Sequence, residues 1–170
     1  MKSFRRVATY KHRIEDVWAA LTDPYALAEW LMPVTHFEPE AGSTFRFQYD
    51  PERLCPSGIA DCEVLEVEAP HRLIWSWRHR AAEGQRQAPP MRVEWRLTEI
   101  RGGTRLELVQ SYEGQPWSVT FAMGVGWRFY LRRFLPKALE NVRGGHFERG
   151  AIPLKKRAYK ATNLPEDIII

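Results

Sequence analysis

Val125–Leu139, VGWRFYLRRFLPKAL, is the stretch whose reading decides how the chain is arranged. Trp127, Tyr130, Leu131, Phe134 and Ala138 recur at steps of three and four. On a helix of about 3.6 residues per turn they share one face. Arg128, Arg132, Arg133 and Lys137 fall on or near the other side. So apolar a face needs a broad surface to cover. Pro136 lacks an N–H and crowds the preceding turn, which predicts a kink or a restart near Leu135. Gly144–Gly145 is the expected stop.

Residues 43 to 112 read as the antiparallel strands that supply the covering surface. Phe45, Phe47 and Tyr49 alternate with Arg46, Gln48 and Asp50, the pattern of a half-buried strand. The next strand, GIADCEVLEVEA (58–69), changes phase near Val64–Leu65, as a bulge would make it do. RLIWSWRHR (72–80) sends Leu73, Trp75 and Trp77 to one side, and MRVEWRLTEI (91–100) groups Met91, Val93, Trp95 and Leu97. Gly102–Gly103 is a hairpin signal, after which Leu106, Leu108, Gln110 and Tyr112 keep one parity. Close linkage predicts antiparallel pairing, with one face packed and one wet.

Upstream, Lys2–Lys11 alternates loosely and reads as a first strand. Ile14, Val17, Trp18 and Leu21, then Leu27, Trp30 and Leu31, predict two short helices meeting at Thr22-Asp23-Pro24. Asp is a capping residue and Pro suits the first helical position. His36–Pro39 reads as a short strand, and 50–58 and 81–90 as loops.

Composition narrows the classes. A chain of 170 residues at 44% apolar content suits one domain with its own core. No run approaches the ~18 to 20 apolar residues of a membrane span, and the N-terminus has no secretory apolar region. Two cysteines, Cys55 and Cys62, make neither a disulfide scaffold nor a zinc spacing, which points to a reduced, cytoplasmic protein. Net charge is +4 with dispersed basic residues, so a nucleic-acid partner is not expected. Seven Trp, six Tyr and eight Phe are the unusual feature; such rings fill cores or line apolar cavities.

The order of elements resembles the SRPBCC superfamily of START-like, helix-grip domains. It is most similar to the bacterial branch related to the activator of heat-shock protein 90 ATPase. The matching stretches are VWAALTDPYALAEWL (17–31), PEAGSTFRF (39–47), VLEVEAPHRLIWSW (64–77), VEWRLTEIRGGTRLELVQS (93–111) and Gly126–Trp127. The resemblance implies an α+β helix-grip fold: a curved antiparallel sheet gripping a long C-terminal helix over a cavity. It covers Lys2 to Asn141, so the expected division is a domain over 1–145 and a C-terminal extension over 146–170. Ile168–Ile170 either dock or trail loosely. The superfamily includes carriers of hydrophobic ligands, aromatic polyketide cyclases and chaperone regulators. A homodimer is compatible with it.

The expected site is a collective apolar pocket for a hydrophobic or aromatic small molecule, with no metal, no cofactor and no insertion into a membrane. Its lining would come from Trp30, Phe45, Phe47, Trp75, Trp77, Val93, Trp95, Leu108, Gln110, Tyr112, Trp127, Tyr130 and Phe134. Leu106 shares that inner face, and Phe121 and Met123 would stand at the entrance. Cys62 and His36 are further polar residues within reach. No His-Glu-x-x-His, Gly-x-Ser-x-Gly or phosphate-loop motif occurs, so no residue is assigned as catalytic. Binding without turnover is the leading reading. A cyclase-like enzyme, with His36, Gln110 and Tyr112 tested first, and a protein-interaction or chaperone-regulating module are the alternatives.

Overall fold

The computed structural model describes residues 1–52 and 55–170. Among them, β1 (Lys2–Tyr10), β2 (Thr44–Gln48), β3 (Ile59–Glu68), β4 (Arg72–His79), β5 (Met91–Ile100) and β6 (Gly103–Tyr112) form one antiparallel sheet. Its order is β1-β6-β5-β4-β3-β2, so β1 returns to close the sheet beside β6. The β3–β4 register shifts between Val64 and Glu66, which makes Leu65 the extra residue of the expected bulge. The helices are α1 (Ile14–Thr22), α2 (Pro24–Trp30), α3 (Trp117–Phe129) and α4 (Leu135–Leu139). This is the α+β helix-grip architecture. The Asp23 carboxylate accepts from the Tyr25 and Ala26 N–H groups at 2.8 and 3.0 Å, capping α2.

The late helix departs from the sequence reading in two places. It starts at Trp117, directly after Pro116, so Phe121 and Met123 lie within it. The restart expected near Leu135 is present: a π-helical turn, Tyr130–Phe134, precedes α4, which begins at Leu135. In that turn Tyr130 O accepts from the Leu135 N–H, five residues on. By the same count Leu131 O would look to residue 136, a proline with no N–H. The Tyr10 hydroxyl donates to it instead, at 2.6 Å. Finally, Gly144–Gly145 is not the helix stop. The helix ends at Leu139, and both glycines, at φ +57° and +78°, form the two-residue turn between β7 (Val142–Arg143) and β8 (His146–Phe147).

His36–Pro39 is not a strand either. Val34 makes isolated bridges to Phe47 and Ile169, and the chain then leaves the sheet. Phe37 turns inward, with ring centroids 4.7 Å from Phe45 and 6.0 Å from Trp75, both edge-on. Burying that ring replaces a strand pairing.

The core lies between the sheet and the helices. Trp30, Phe47, Trp75, Trp77, Trp95 and Val93 are fully buried. The other sheet face carries charge. The buried Glu94 carboxylate is held by Arg72 at 2.9 Å, Arg92 at 2.7 Å and Arg96 at 2.8 Å. Burial alone would raise its pKa, but the Arg96, Arg72 and Arg92 guanidiniums hold it at about 2.

The tail is docked rather than trailing. Ile168 is buried and Ile169 pairs with Val34. Arg46 forks onto both Asp167 oxygens at 2.8 Å. Asp50 accepts from the Thr162 N–H and hydroxyl at 2.9 and 2.8 Å.

Two outcomes follow from these contacts. Tyr10→Phe orphans the Leu131 carbonyl and lowers stability by about 1–3 kcal/mol, read from urea midpoints; an unchanged midpoint removes the hydroxyl from the account. Glu94→Gln loses a stabilisation that is complete above pH ~4.5 and disappears as pH falls through about 2, because the folded-state pKa is depressed. Midpoints of the two proteins should therefore converge between pH 4.5 and 2; a constant gap contradicts the ion cluster.

Candidate functional site

A partly enclosed cavity of about 170 Å³ lies between the sheet and α3. Leu31, Trp77, Val119, Ala122, Met123 and Trp127 make its apolar wall. Tyr49, Glu52, Cys55, His79, Tyr130 and Tyr159 make a polar end. The apolar wall follows from helical spacing: Val119, Ala122, Met123, Gly126, Trp127 and Tyr130 repeat at three and four along one face. Trp117, Phe121, Val125 and Phe129 lie on the opposite, exposed face.

Part of the polar end follows β2. Tyr49 N–H donates to Gly58 O at 2.9 Å, bringing Gly58 back beside the end of the strand. Gly58 has φ +65°, and a Cβ there would collide with the Tyr49 carbonyl, so the loop requires glycine. Glu52 and Cys55 exchange backbone hydrogen bonds of 3.1 Å, which sets the Cys55 thiol in the cavity wall. Burial pushes the Cys55 pKa up, but the proximity of His79 and Tyr49 brings it down to about 7. Burial raises the phenols of Tyr49, Tyr130 and Tyr159, so they stay protonated at neutral pH.

Tyr159 comes from the docked tail. Its ring stacks on Tyr130 at 5.9 Å and 15°, and lies 4.5 Å from Tyr49. Glu29 of α2 anchors the same segment. Its buried carboxylate accepts from the Gly150 and Ile152 N–H groups at 2.6 and 2.8 Å and faces Arg157 at 3.6 Å. A segment at the end of the chain therefore closes one side of the cavity.

Of the residues expected to line a pocket, Trp77, Trp127 and Tyr130 meet at this cavity, with Met123 from α3. Trp30, Phe45, Phe47, Trp75, Val93, Trp95, Leu106, Leu108 and Phe134 are buried in the surrounding core. Gln110 sits beneath the wall. Its Oε1 accepts from the Trp127 indole N–H at 2.6 Å, and its Nε2 faces the Met91 and Met123 sulfurs at 3.1 and 3.2 Å. Tyr112 packs against Phe4 at the end of β6. His36 is exposed, paired with Glu38 at 2.9 Å beside a wide polar groove of about 610 Å³ on the sheet edge. Cys62 is buried with its thiol toward Ala60 O at 3.8 Å. Sequence reading missed Glu52, Cys55, His79 and Tyr159 and placed Tyr49 on a strand without giving it a role. Only Tyr49 carried a signal, the shared parity with Phe45 and Phe47.

Several buried ring nitrogens in this part of the core, Nε1 of Trp75, Trp77 and Trp95 and Nδ1 of His79, have no hydrogen-bond partner among the described residues.

The family described as Activator of Hsp90 ATPase homolog 1-like protein matches residues 11–140. No curated protein matches the chain. Among solved structures, protein MLL2253 from Mesorhizobium loti is 27% identical with a TM-score of 0.68, over 79% of this chain and 94% of that one. DynU16, a putative protein in the dynemicin biosynthetic locus, is 24% identical with a TM-score of 0.67, over 91% of this chain and 52% of that one, so this chain spans about half its length. The Aha1 dimer from Colwellia psychrerythraea is 19% identical with a TM-score of 0.67, over 85% of this chain and all of that one. The last two likenesses concern the fold alone.

Glu29→Ala removes the acceptor of both tail N–H groups. The expected result is faster tryptic cleavage at Lys155, Lys156 and Arg157 and stronger acrylamide quenching of tryptophan fluorescence. A cleavage rate equal to wild type would show that the tail is held by its other contacts alone.

Proposed function

We propose, from the premise that this chain belongs to the Activator of Hsp90 ATPase homolog 1-like family, that it binds a small hydrophobic or aromatic molecule in the cavity between β4 and α3. One observation carries the reading. A wall of aromatic and aliphatic side chains ends in a cluster of polar groups. Apolar walls with a few convergent polar groups are what small-molecule sites are made of.

Volume limits the occupant. At about 170 Å³ the cavity is close to the ~150 Å³ that suffices for benzene in an engineered protein cavity, and below the ~300 Å³ where drug-sized sites begin. The ligand is therefore about one ring in size, with an acceptor atom placed toward the phenols of Tyr49, Tyr130 and Tyr159. A polycyclic substrate would fit only with Tyr159 withdrawn.

A second reading is an enzyme of the polyketide-cyclase kind working in the same space. Its support is the presence of Cys55 and His79 in one cavity lining and the biosynthetic locus named for DynU16. A second copy of the chain is a further proposed partner, supported by the dimer described for the Colwellia protein. Among the described residues, no helix is long and apolar enough to cross a membrane.

The test uses calorimetric titration with p-cresol and with toluene, which has no acceptor. Wild type should bind p-cresol more tightly, by about fivefold for one hydrogen bond of about 1 kcal/mol. Ala122→Phe places a ring in the cavity and should abolish both while circular dichroism stays unchanged. Equal binding by folded Ala122→Phe, or no binding by wild type at millimolar probe, overturns the proposal.

A further inference from the structure

The outer side of α3 carries a row of side chains that the cavity does not use. Trp117, Phe121, Val125 and Phe129 stand four residues apart and are 78, 65, 53 and 45% exposed. Residues four apart on a helix form one continuous ridge. We propose that this row is the face on which a second copy of the chain docks, the two α3 helices lying antiparallel about a two-fold axis at Val125. This rests on the reading of a second copy as a partner and names the surface it uses.

Symmetry favours that occupant. In a closed two-fold pair the same patch serves both copies, so it must complement itself when reversed. Reversal about Val125 sets Phe121 opposite the partner's Phe129 and Trp117 opposite the partner's Arg133. Aromatic side chains thus meet aromatic or guanidinium groups along the whole row.

The placement of charge favours the same arrangement. Arg128, Arg132 and Arg133 are exposed at one end of the row, Trp117 and Phe121 at the other, and no acidic residue occurs between 117 and 139. An antiparallel copy brings each arginine cluster to the other's aromatic end, where ring faces attract cations. Arg133 already takes such a position over Phe129, 5.5 Å from the ring centroid. The two clusters stay apart: at ~1.5 Å per residue, Arg132 and the partner's Arg132 lie about 20 Å from each other along the helix, beyond the ~8 Å screening length of physiological salt. A parallel copy would set arginine against arginine.

The available area sets the strength. With roughly 150–250 Å² for each aromatic side chain, the exposed fractions of Trp117, Phe121 and Phe129 leave roughly 300–450 Å² per copy. Adding Val125 and the arginine stems brings the pair to about 1,000 Å², the low end of specific interfaces. The dimer is therefore weak and reversible.

Sedimentation equilibrium of the full chain, from low micromolar to sub-millimolar concentration, should show monomer and dimer in exchange. Phe121→Glu should weaken the dimer about tenfold or more with circular dichroism unchanged, because the ring is exposed in the monomer. A short bismaleimide should join two copies of Val125→Cys, the position on the axis, and not two copies of Trp117→Cys; native Cys55 and Cys62 are buried. A dimer that survives Phe121→Glu, or one joined through Trp117→Cys rather than Val125→Cys, overturns this arrangement and leaves a second copy as a partner. A monomer at every concentration overturns both. If that monomer pellets with phosphatidylglycerol vesicles and Phe121→Glu does not, the row is a lipid-binding face instead.

Discussion

The packing of Trp127 between Trp77 and Trp95 joins the two layers of the protein. Its ring meets Trp77 at 5.8 Å and Trp95 at 5.3 Å, nearly perpendicular to each, which is the favoured edge-to-face geometry. Its N–H is satisfied by Gln110 at 2.6 Å, so the one polar atom of this side chain enters the core at no desolvation loss. Gln110 in turn contacts Met91 of β5 and Met123 of α3. A single residue thereby fixes both the height of α3 over the sheet and its rotation. The same rotation turns Ala122, Met123 and Gly126 toward the sheet and leaves room beside them.

The π-helical turn gives the helix its second constraint. A straight α-helix from Trp117 onward would meet Pro136 with an unmet carbonyl in its last turns. Taking the extra residue at 130–134 transfers that need to Leu131, where Tyr10 reaches from the end of β1. Both Tyr130, at the cavity, and Phe134, in the core, are then carried inward on the same turn. The feature that accommodates the proline also positions a phenol at the polar end of the cavity.

The fold was legible because its signals are periodic. Phe45-Phe47, Trp75-Trp77, Val93-Trp95 and Leu106-Leu108 each announce a buried strand face, and Trp127-Tyr130-Phe134 a buried helix face. Periodicity does not say which buried rings touch each other and which border a void. Trp75 and Trp77 have the same sequence signal, yet Trp75 sits in a full aromatic layer and Trp77 at the cavity. The polar end was illegible for a different reason. Cys55 lies in a Pro/Gly-containing loop and Tyr159 in a tail with no period, and chain crossings far apart in sequence bring them to Tyr49 and Tyr130. The helix start at Trp117 was not legible because the apolar residues Trp117, Phe121 and Val125 lie on its exposed face and do not announce a buried stripe.

The cavity is thus assembled from two sources with different constraints. Strands β2 to β6, Trp77, Trp127 and Tyr130 lie in the family-matched region, 11–140, where the core leaves little freedom for change. Tyr159 lies outside it, on a segment held by hydrogen bonds and ion pairs to Glu29, Asp50 and Arg46 and by the buried side chains of Ile152 and Ile168. The tail therefore closes one side of the space with Tyr159, while the packing of α3 on the sheet through Trp127 supplies the opposite wall.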